Sequence, residues 1–393
     1  MDGTALLTSD THAIMLLCGH FGLKRGGNKP LTPTEYHRFA RWLEARSCSL
    51  LELLDDDPRD VVRGYRDKEV SGQRLLELLG RGAWLTQALD RWTRVGIWVM
   101  SEKDPDYPVR LRQRLKAAGA PLLFGAGPRQ LLNEGGVCIV GSRDSTDGGL
   151  TFARHLGERV ANEGLTVISS DMRGVDREVI TAALAQSGKV VSVVSDSLEK
   201  AVSARRNRNA LAAGRLVLVT PFAPDTRFSV SNAMRANRYQ YALSDVAVIV
   251  ETRRHGGVWS GADENRNEGW VPAFVRTGAQ MAPGNTALLH LGLLPISEED
   301  VRNSHNLVAQ LLDRSVKENV VAAAATVPSE SRRIDLYGAF LAELLRFVAS
   351  EARSETDVMK HFVLERGQAR AWLARAYTEG RINKSGNPPR YRR

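Results

Sequence analysis

The spacing of apolar and polar positions changes character twice along the chain, and each change marks a different kind of element. Up to about residue 95 the apolar residues recur at helical spacing in short runs. Thr32-Pro33-Thr34-Glu35 combines a capping box with proline at the first helical position, and Tyr36, Phe39, Ala40 and Leu43 follow on one helical face. Further helices are predicted over 50–54, 73–79 and 83–94, punctuated by Gly64, Gly72, Gly80 and Gly96. From Val137 the pattern becomes short β-branched runs alternating with helix-compatible stretches. Strands are predicted over 137–140, 165–169, 189–195, 216–220, 246–250 and 272–276. Helices over 150–163 and 177–187 lie between them, each followed by a glycine (Gly164, Gly188). Strands buried on both faces and joined by helices imply an α/β fold with a mostly parallel sheet, whose ligands collect at the carboxyl ends of the strands.

Beyond the sheet, Ser297-Glu298-Glu299-Asp300 predicts a capped helix running to about Leu312. The stretch 320–333, with its alanine run and Pro328, reads as a linker. Three short helices follow over 335–349, from the Ser354–Asp357 cap, and over 368–379. A basic hairpin around Lys384-Ser385-Gly386-Asn387 and Arg390-Tyr391-Arg392 completes the outline of a winged helix. The division is then a helical domain over 1–95, a sheet domain over 96–296, a helix and linker over 297–333, and a winged-helix domain over 334–393.

Composition narrows the class. Of 393 residues, 43% are hydrophobic and 25% charged, an ordinary globular balance. The longest apolar runs, 190–194 and 246–250, fall far short of the roughly 20 residues of a membrane span. The N-terminus has no basic region ahead of its apolar stretch, and Cys18, Cys48 and Cys138 lack metal-ligand spacing, so a cytoplasmic protein with reduced thiols is expected. Net charge is 54 − 45 = +9, and much of the excess sits at the end. Arg366, Arg370, Arg375, Arg381, Lys384, Arg390, Arg392 and Arg393 are opposed there by Glu379 alone. Such clustering suits a phosphate backbone, an acidic surface or partner, or simply a solvated face.

Candidate chemistry lies in the loops after the strands. Gly141-Ser142-Arg143 leads through Asp144–Gly149 into a helix, a phosphate-compatible arrangement that is neither GxGxxG nor a P-loop. After the second strand come Ser169-Ser170-Asp171-Met172-Arg173-Gly174-Val175-Asp176, and after the fifth Glu251, Arg253, Arg254, His255, Gly256, Gly257 and Ser260. Small residues, hydroxyls and arginines describe an anion pocket better than an acid–base machine. No catalytic set and no His-x-x-x-His-type metal spacing is present, and no cofactor is called for. Asp171 with Asp176 could hold a metal, although capping of the next helix by Asp176 is the simpler reading.

With those loops in view, the chain resembles the DprA/Smf family of DNA-processing proteins from about Ile97 to Leu294 and, more loosely, to the C-terminus. The resemblance rests on Asp106-Tyr107-Pro108, Pro121-Leu122-Leu123-Phe124-Gly125, Ile139-Val140-Gly141-Ser142-Arg143 and the altered loop from Ser169 to Asp176. It implies an extended Rossmann-type core that binds single-stranded DNA without catalysis, dimerises, and helps to load the recombinase RecA. By that resemblance Gly141, Ser142, Arg143, Ser169, Gly174 and Asp176 match the family's pocket, and the strand-end loops themselves add Ser170, Glu251 and Ser260 to it. Ser142, Arg143, Arg173, Arg235, Asn237 and Arg238 are expected to contact the strand; the family's arginine-asparagine-arginine motif falls on Ala236-Asn237-Arg238, so its first arginine is absent. The literal Arg206-Asn207-Arg208 string lies too early and reads as a coincidence. Departures from the family pattern at Ser170, Met172, Val179-Ile180 and Gly256–Ser260 also fit DprA-like partners of toxic enzymes in anti-phage gene pairs. A nucleotide-derivative sensor or enzyme on the same scaffold is the alternative. Glu251 is expected to pair with Arg143 or Arg238. In the C-terminal module, Arg370, Arg375, Lys384 and Arg390 are expected to meet duplex DNA or an acidic protein.

Overall fold

The buried aliphatic runs between residues 98 and 296 line up side by side as a nine-stranded sheet, in the order β1-β2-β6-β5-β4-β3-β7-β8-β9. The computed structural model describes residues 7–21, 28–55, 57–278, 281–325, 336–349, 351–362, 364–386 and 388–392. Its strands are β1 (Trp98–Ser101), β2 (Leu122–Ala126), β3 (Val137–Val140), β4 (Thr166–Ser169), β5 (Lys189–Val193), β6 (Leu216–Thr220), β7 (Val246–Ile249), β8 (Ala273–Arg276) and β9 (Leu294–Ile296). The strands from β3 to β9 are mutually parallel, while β1 and β2 add an antiparallel edge beside β6. All six sequence-predicted strands are present; β1, β2 and β9 are additional. The order runs outward from β3 to β6 and then returns to β7 on the other side of β3, so the topological switch lies between β3 and β7.

Alternate residues of each strand face opposite cores. One core contains Val137, Ile139, Val167, Val190 and Val248; the other contains Cys138, Val140, Ile168, Val191 and Ile249. Ahead of the sheet come α1 (Ser9–Cys18), α2 (Pro33–Ala45), α3 (Arg59–Val62), α4 (Gly72–Leu79) and α5 (Gly82–Arg94). These helices share the first core: Trp92 is 1% exposed and meets Phe124 of β2 edge-on at 5.2 Å. Arg81 is also buried there and donates to the carbonyl of Leu16, which the last turn of α1 leaves without a helical partner, and to those of Gly19 and Phe21 just beyond it. Burial pulls its pKa down to about 10.

The sheet's helices are α6 (Val109–Leu115), α7 (Leu131–Glu134), α8 (Asp147–Asn162), α9 (Val175–Ala185), α10 (Leu198–Ser203), α11 (Arg205–Ala212), α12 (Val230–Leu243), α13 (Gly257–Glu268) and α14 (Pro283–His290). The helix predicted from Ser297 to Leu312 is broken in two, α15 (Glu298–Asn303) and α16 (Leu307–Ala325). Asn306 accepts from Ala309 N at 3.2 Å and Glu163 from Leu307 N at 2.8 Å, so a new helix is capped where the first one ends. The linker reading over 320–333 is corrected as far as Ala325: the alanine run continues α16, as its helix propensity favours. The remainder of that stretch lies outside the described residues.

The chain divides into two compact units, 1–318 and 319–393. The second contains α17 (Leu336–Phe347), β10 (Arg353–Ser354), α18 (Glu355–Phe362), α19 (Arg366–Thr378), β11 (Asn383–Ser385) and β12 (Arg390–Arg392). Its strands form an antiparallel sheet in the order β10-β12-β11. Phe340, Leu344, Val358, Leu373, Ala376 and Tyr391 make a separate core. Among the described residues no helix is long and apolar enough to cross a membrane.

Candidate nucleic-acid interface

The carboxyl edge of the parallel strands gathers the loops 141–146, 170–174, 194–197, 221–229 and 250–256. Asp176, on the first turn of α9, ties the first two together. It is buried, accepts from Gly141 N at 3.2 Å and from Ser170 Oγ, and burial pushes its pKa up to about 7. The reading of Asp176 as a helix cap is therefore corrected: Gly174 holds the N-cap position, and the carboxylate points back into the sheet edge. Gly174 has φ +85, and a Cβ there would collide with Ser142 O, to which Val175 N donates at 3.3 Å. Ser169 Oγ donates to Ile139 O at 2.7 Å. Gly141, Ser169, Ser170, Gly174 and Asp176 thus converge, but as a lock between two loops and not as an open cradle.

At the switch point the structure has supplied its own anion. Glu251 is buried, and Oε2 accepts from Ser145 Oγ at 2.7 Å, Thr146 Oγ1 at 2.9 Å and Thr146 N at 3.1 Å. Its cationic neighbour is Arg276, at 4.0 Å. The expected pairing with Arg143 or Arg238 is corrected, because Arg143 lies over the Phe228 ring at 5.1 Å and Arg238 pairs with Glu264 at 2.8 Å. The first turn of α8, where a nucleotide phosphate binds in this class of sheet, is thereby filled by a carboxylate. A Cβ at Gly149 would collide with that carboxylate, so the glycine is what lets Glu251 approach.

Toward β5 and β6 the edge opens into a cavity of about 510 Å³. Arg143, Arg173, Arg177, Lys200 and Arg206 line it against two carboxylates, Asp171 and Asp196, with Met172 and Phe228 as its apolar walls. Asp171 is engaged by Arg206 and, at 3.7 Å, by Arg177, while Arg173 pairs with Asp144 at 2.8 Å. Asp196 Oδ1 accepts from Phe228 N at 2.9 Å, which fixes the base of the Phe228 side chain. Among the described residues Arg143 and Lys200 have no carboxylate partner within 4.0 Å. Five cations against two anions, beside an exposed aromatic ring, attract an anion with a flat apolar part.

Of the sequence-predicted strand contacts, Arg143 and Arg173 line this cavity, with Ser142 beside them on the switch-point side. Arg235 lines a different cavity and stacks on Phe222 at 5.0 Å. Asn237 donates to Gly257 O at 2.8 Å and, like Arg238, joins α12 to α13; Ser260 lies on α13. The sequence reading missed Arg177, Lys200, Phe228 and above all Arg206, set aside as a coincidence although α11 carries it to Asp171. In the second unit, Arg366 and Arg370 both engage Glu355, and Arg375 engages Glu379 and the Tyr337 ring. Lys384 and Arg390 are exposed on the hairpin strands β11 and β12.

Comparison with known proteins agrees with this architecture. The chain is 24% identical over 289 residues to the protein Smf of Synechocystis, covering 70% of this chain and 71% of that one. It is 27% identical over 262 residues to a putative DNA processing protein DprA of Mycobacterium tuberculosis, covering 62% and 66%. The chain thus spans about two thirds of these relatives' length. Its fold is similar to that of DNA processing protein A from Streptococcus pneumoniae, with a TM-score of 0.57 at 19% identity over 74% of this chain and 95% of that one. The family described as DNA recombination-mediator protein A matches residues 98–296, the nine-stranded sheet from its first strand to its last. A match over half the chain, on the same sheet and loops, makes this protein a member of the DNA recombination-mediator protein A (DprA/Smf) family.

Proposed function

We propose that the protein binds single-stranded DNA along the carboxyl edge of its sheet, with phosphates on Arg143, Lys200 and Arg206 and a base against Phe228. The observation that carries this reading is the excess of cations around Phe228, two of them free of any carboxylate among the described residues. A flexible single strand can bring both a phosphate and an exposed base face to such a site; a duplex keeps its base faces stacked. The nucleotide-sensor alternative is disfavoured by Glu251, whose carboxylate occupies the helix end that a nucleotide phosphate needs. No catalytic step belongs to the reading. Asp171 is held by Arg206 and Arg177, Asp176 by Gly141 and Ser170, and Glu251 by three donors, so each carboxylate is already engaged.

The C-terminal unit is read as a winged helix whose hairpin, carrying Lys384, Arg390 and Arg392, meets the phosphates of a duplex. Its third helix contributes less, because Glu355 holds two of its arginines. The test of the main site is fluorescence anisotropy with labelled oligothymidylate. The double variant Arg143→Glu, Lys200→Glu should lose at least about a hundredfold in affinity, roughly 2.7 kcal/mol, at unchanged thermal stability. Equal affinity of the variant and the wild type would overturn the assignment.

A further inference from the structure

A cavity of about 780 Å³ in the first unit lies beside the site just described. It sits where the amino-terminal segment 28–35 meets the ends of β2 and β6, one and two strands beyond β5 on the same edge of the sheet. At about 4.8 Å per strand, that is a step of roughly 10 Å. Its walls include rigid apolar surface: Pro30, Pro121, Pro221, Phe124 and Phe222. The two carboxylates at its rim are already neutralised. Glu35 takes both ends of the Arg74 guanidinium, at 2.8 and 3.1 Å, and Glu69 pairs with Arg38 at 2.7 Å. Two cations remain over the apolar wall, Lys29 and Arg235, and neither has a carboxylate partner among the described residues. The Arg235 guanidinium lies over the Phe222 ring at 5.0 Å, and burial first, then the charges of Arg81 and Arg235, lower the pKa of neighbouring His20.

The loop 221–229 separates this cavity from the first. Pro221, Phe222 and Thr226 belong to one cavity, and Phe228 to the other. Between them Arg227 is exposed, again without a carboxylate partner among the described residues. Lys200, Arg143, Arg227, Arg235 and Lys29 therefore form a succession of uncompensated cations along one sheet edge. Elsewhere in this unit many arginines are paired, as Arg38, Arg74, Arg110 and Arg159 are.

We propose that the cavity under Arg235 is a second nucleotide subsite, filled by the same single strand after it crosses the 221–229 loop. Lys29 and Arg235 take a phosphate, and the proline and phenylalanine wall takes the base. The proposal rests on the single-strand reading above, and it gives the amino-terminal helical region a direct part in binding. Both cations are exposed, so reversing their charge leaves the cores intact; Arg235→Lys provides a milder second variant.

The experiment uses the full chain and oligothymidylates of about four and about fifteen nucleotides, the range over which single-strand sites of this kind extend. The variant Lys29→Glu, Arg235→Glu should bind the short strand within about twofold of wild type and lose at least about tenfold on the long one. Its log–log salt slope on the long strand should be smaller by about 0.7 for each phosphate it no longer neutralises. Arg235→Lys should retain most of the long-strand affinity. Arg143→Glu should weaken both lengths. If the glutamate variant matches wild type on the long strand while Arg143→Glu still weakens binding, the second subsite is overturned and the first stands. Equal losses on both lengths would mean that Arg235 belongs to the first site, which also overturns the proposal. Should Arg143→Glu bind both lengths like wild type, the single-strand reading itself fails. Thymidine monophosphate is the remaining arm: a rise in Tm that Arg235→Glu abolishes, without any length effect, would identify a free nucleotide as the occupant and overturn the strand path.

Discussion

Two places on the same edge of the sheet could each have held a phosphate, and they are built in opposite ways. At the switch point between β3 and β7 the end of α8 offers amides and hydroxyls, and Glu251 takes them, backed by Arg276. Toward β5 and β6 no carboxylate among the described residues reaches Arg143 or Lys200, and the apolar surface beside them is exposed. Fold topology thus names the edge where ligands gather, while charge satisfaction decides which part of that edge is open. A site whose donors are already bonded is structure; a site whose cations are unpaired is available for a partner.

Removing the internal anion should have the largest effect. Glu251→Ala leaves the α8 end and Arg276 without their acceptor in a buried setting, so a loss of about 3–5 kcal/mol is expected in urea unfolding. A loss below about 1 kcal/mol would show that the switch point is not sealed as described. Asp176 should produce the next effect, and its direction follows from linkage. Its folded pKa, about 7, lies above the usual aspartate value of 3.8. The native state therefore keeps the proton that the unfolded chain releases. Stability is greatest below the unfolded pKa and falls by about 1.4 kcal/mol per pH unit as pH rises toward 7, where it levels off. Asp176→Asn should flatten that window, and unfolding curves at several pH values check it.

Truncating the ring of the open site comes third. Phe228→Ala should weaken oligothymidylate binding by about 1–2 kcal/mol through lost stacking, with Tm nearly unchanged because the ring is 39% exposed. The smallest effect is expected in the C-terminal unit. Glu355→Gln breaks exposed pairs, costs at most about 1 kcal/mol, and frees Arg366 and Arg370. Duplex binding should then rise in an electrophoretic or anisotropy titration, and a fall would contradict this reading of the third helix.

How much of this was readable beforehand varies by element. The six central strands are short apolar runs rich in β-branched residues, several of them next to a glycine, and the sequence shows them directly. Leu122–Ala126 escaped because Pro121 and Gly125 break the strand pattern, and Leu294–Ile296 because Pro295 sits inside it, which an edge strand tolerates. In the site, Arg143 and Arg173 were visible because each follows a strand. Arg177, Lys200 and Arg206 were not, since they arrive on α9, α10 and α11 and meet only through the order of the strands. Glu251 was visible as a strand-end carboxylate, but its partner depends on Arg276 of the neighbouring β8.

The proposed function turns on unpaired cations beside Phe228 holding the phosphates of a single strand. The most direct test is the dependence of oligothymidylate affinity on salt, for wild type and for Arg143→Glu, Lys200→Glu. Each neutralised phosphate contributes about 0.7 to the log–log slope on single strands, so the double variant should show a slope smaller by about 1.4. Parallel salt lines for the two proteins would contradict the account.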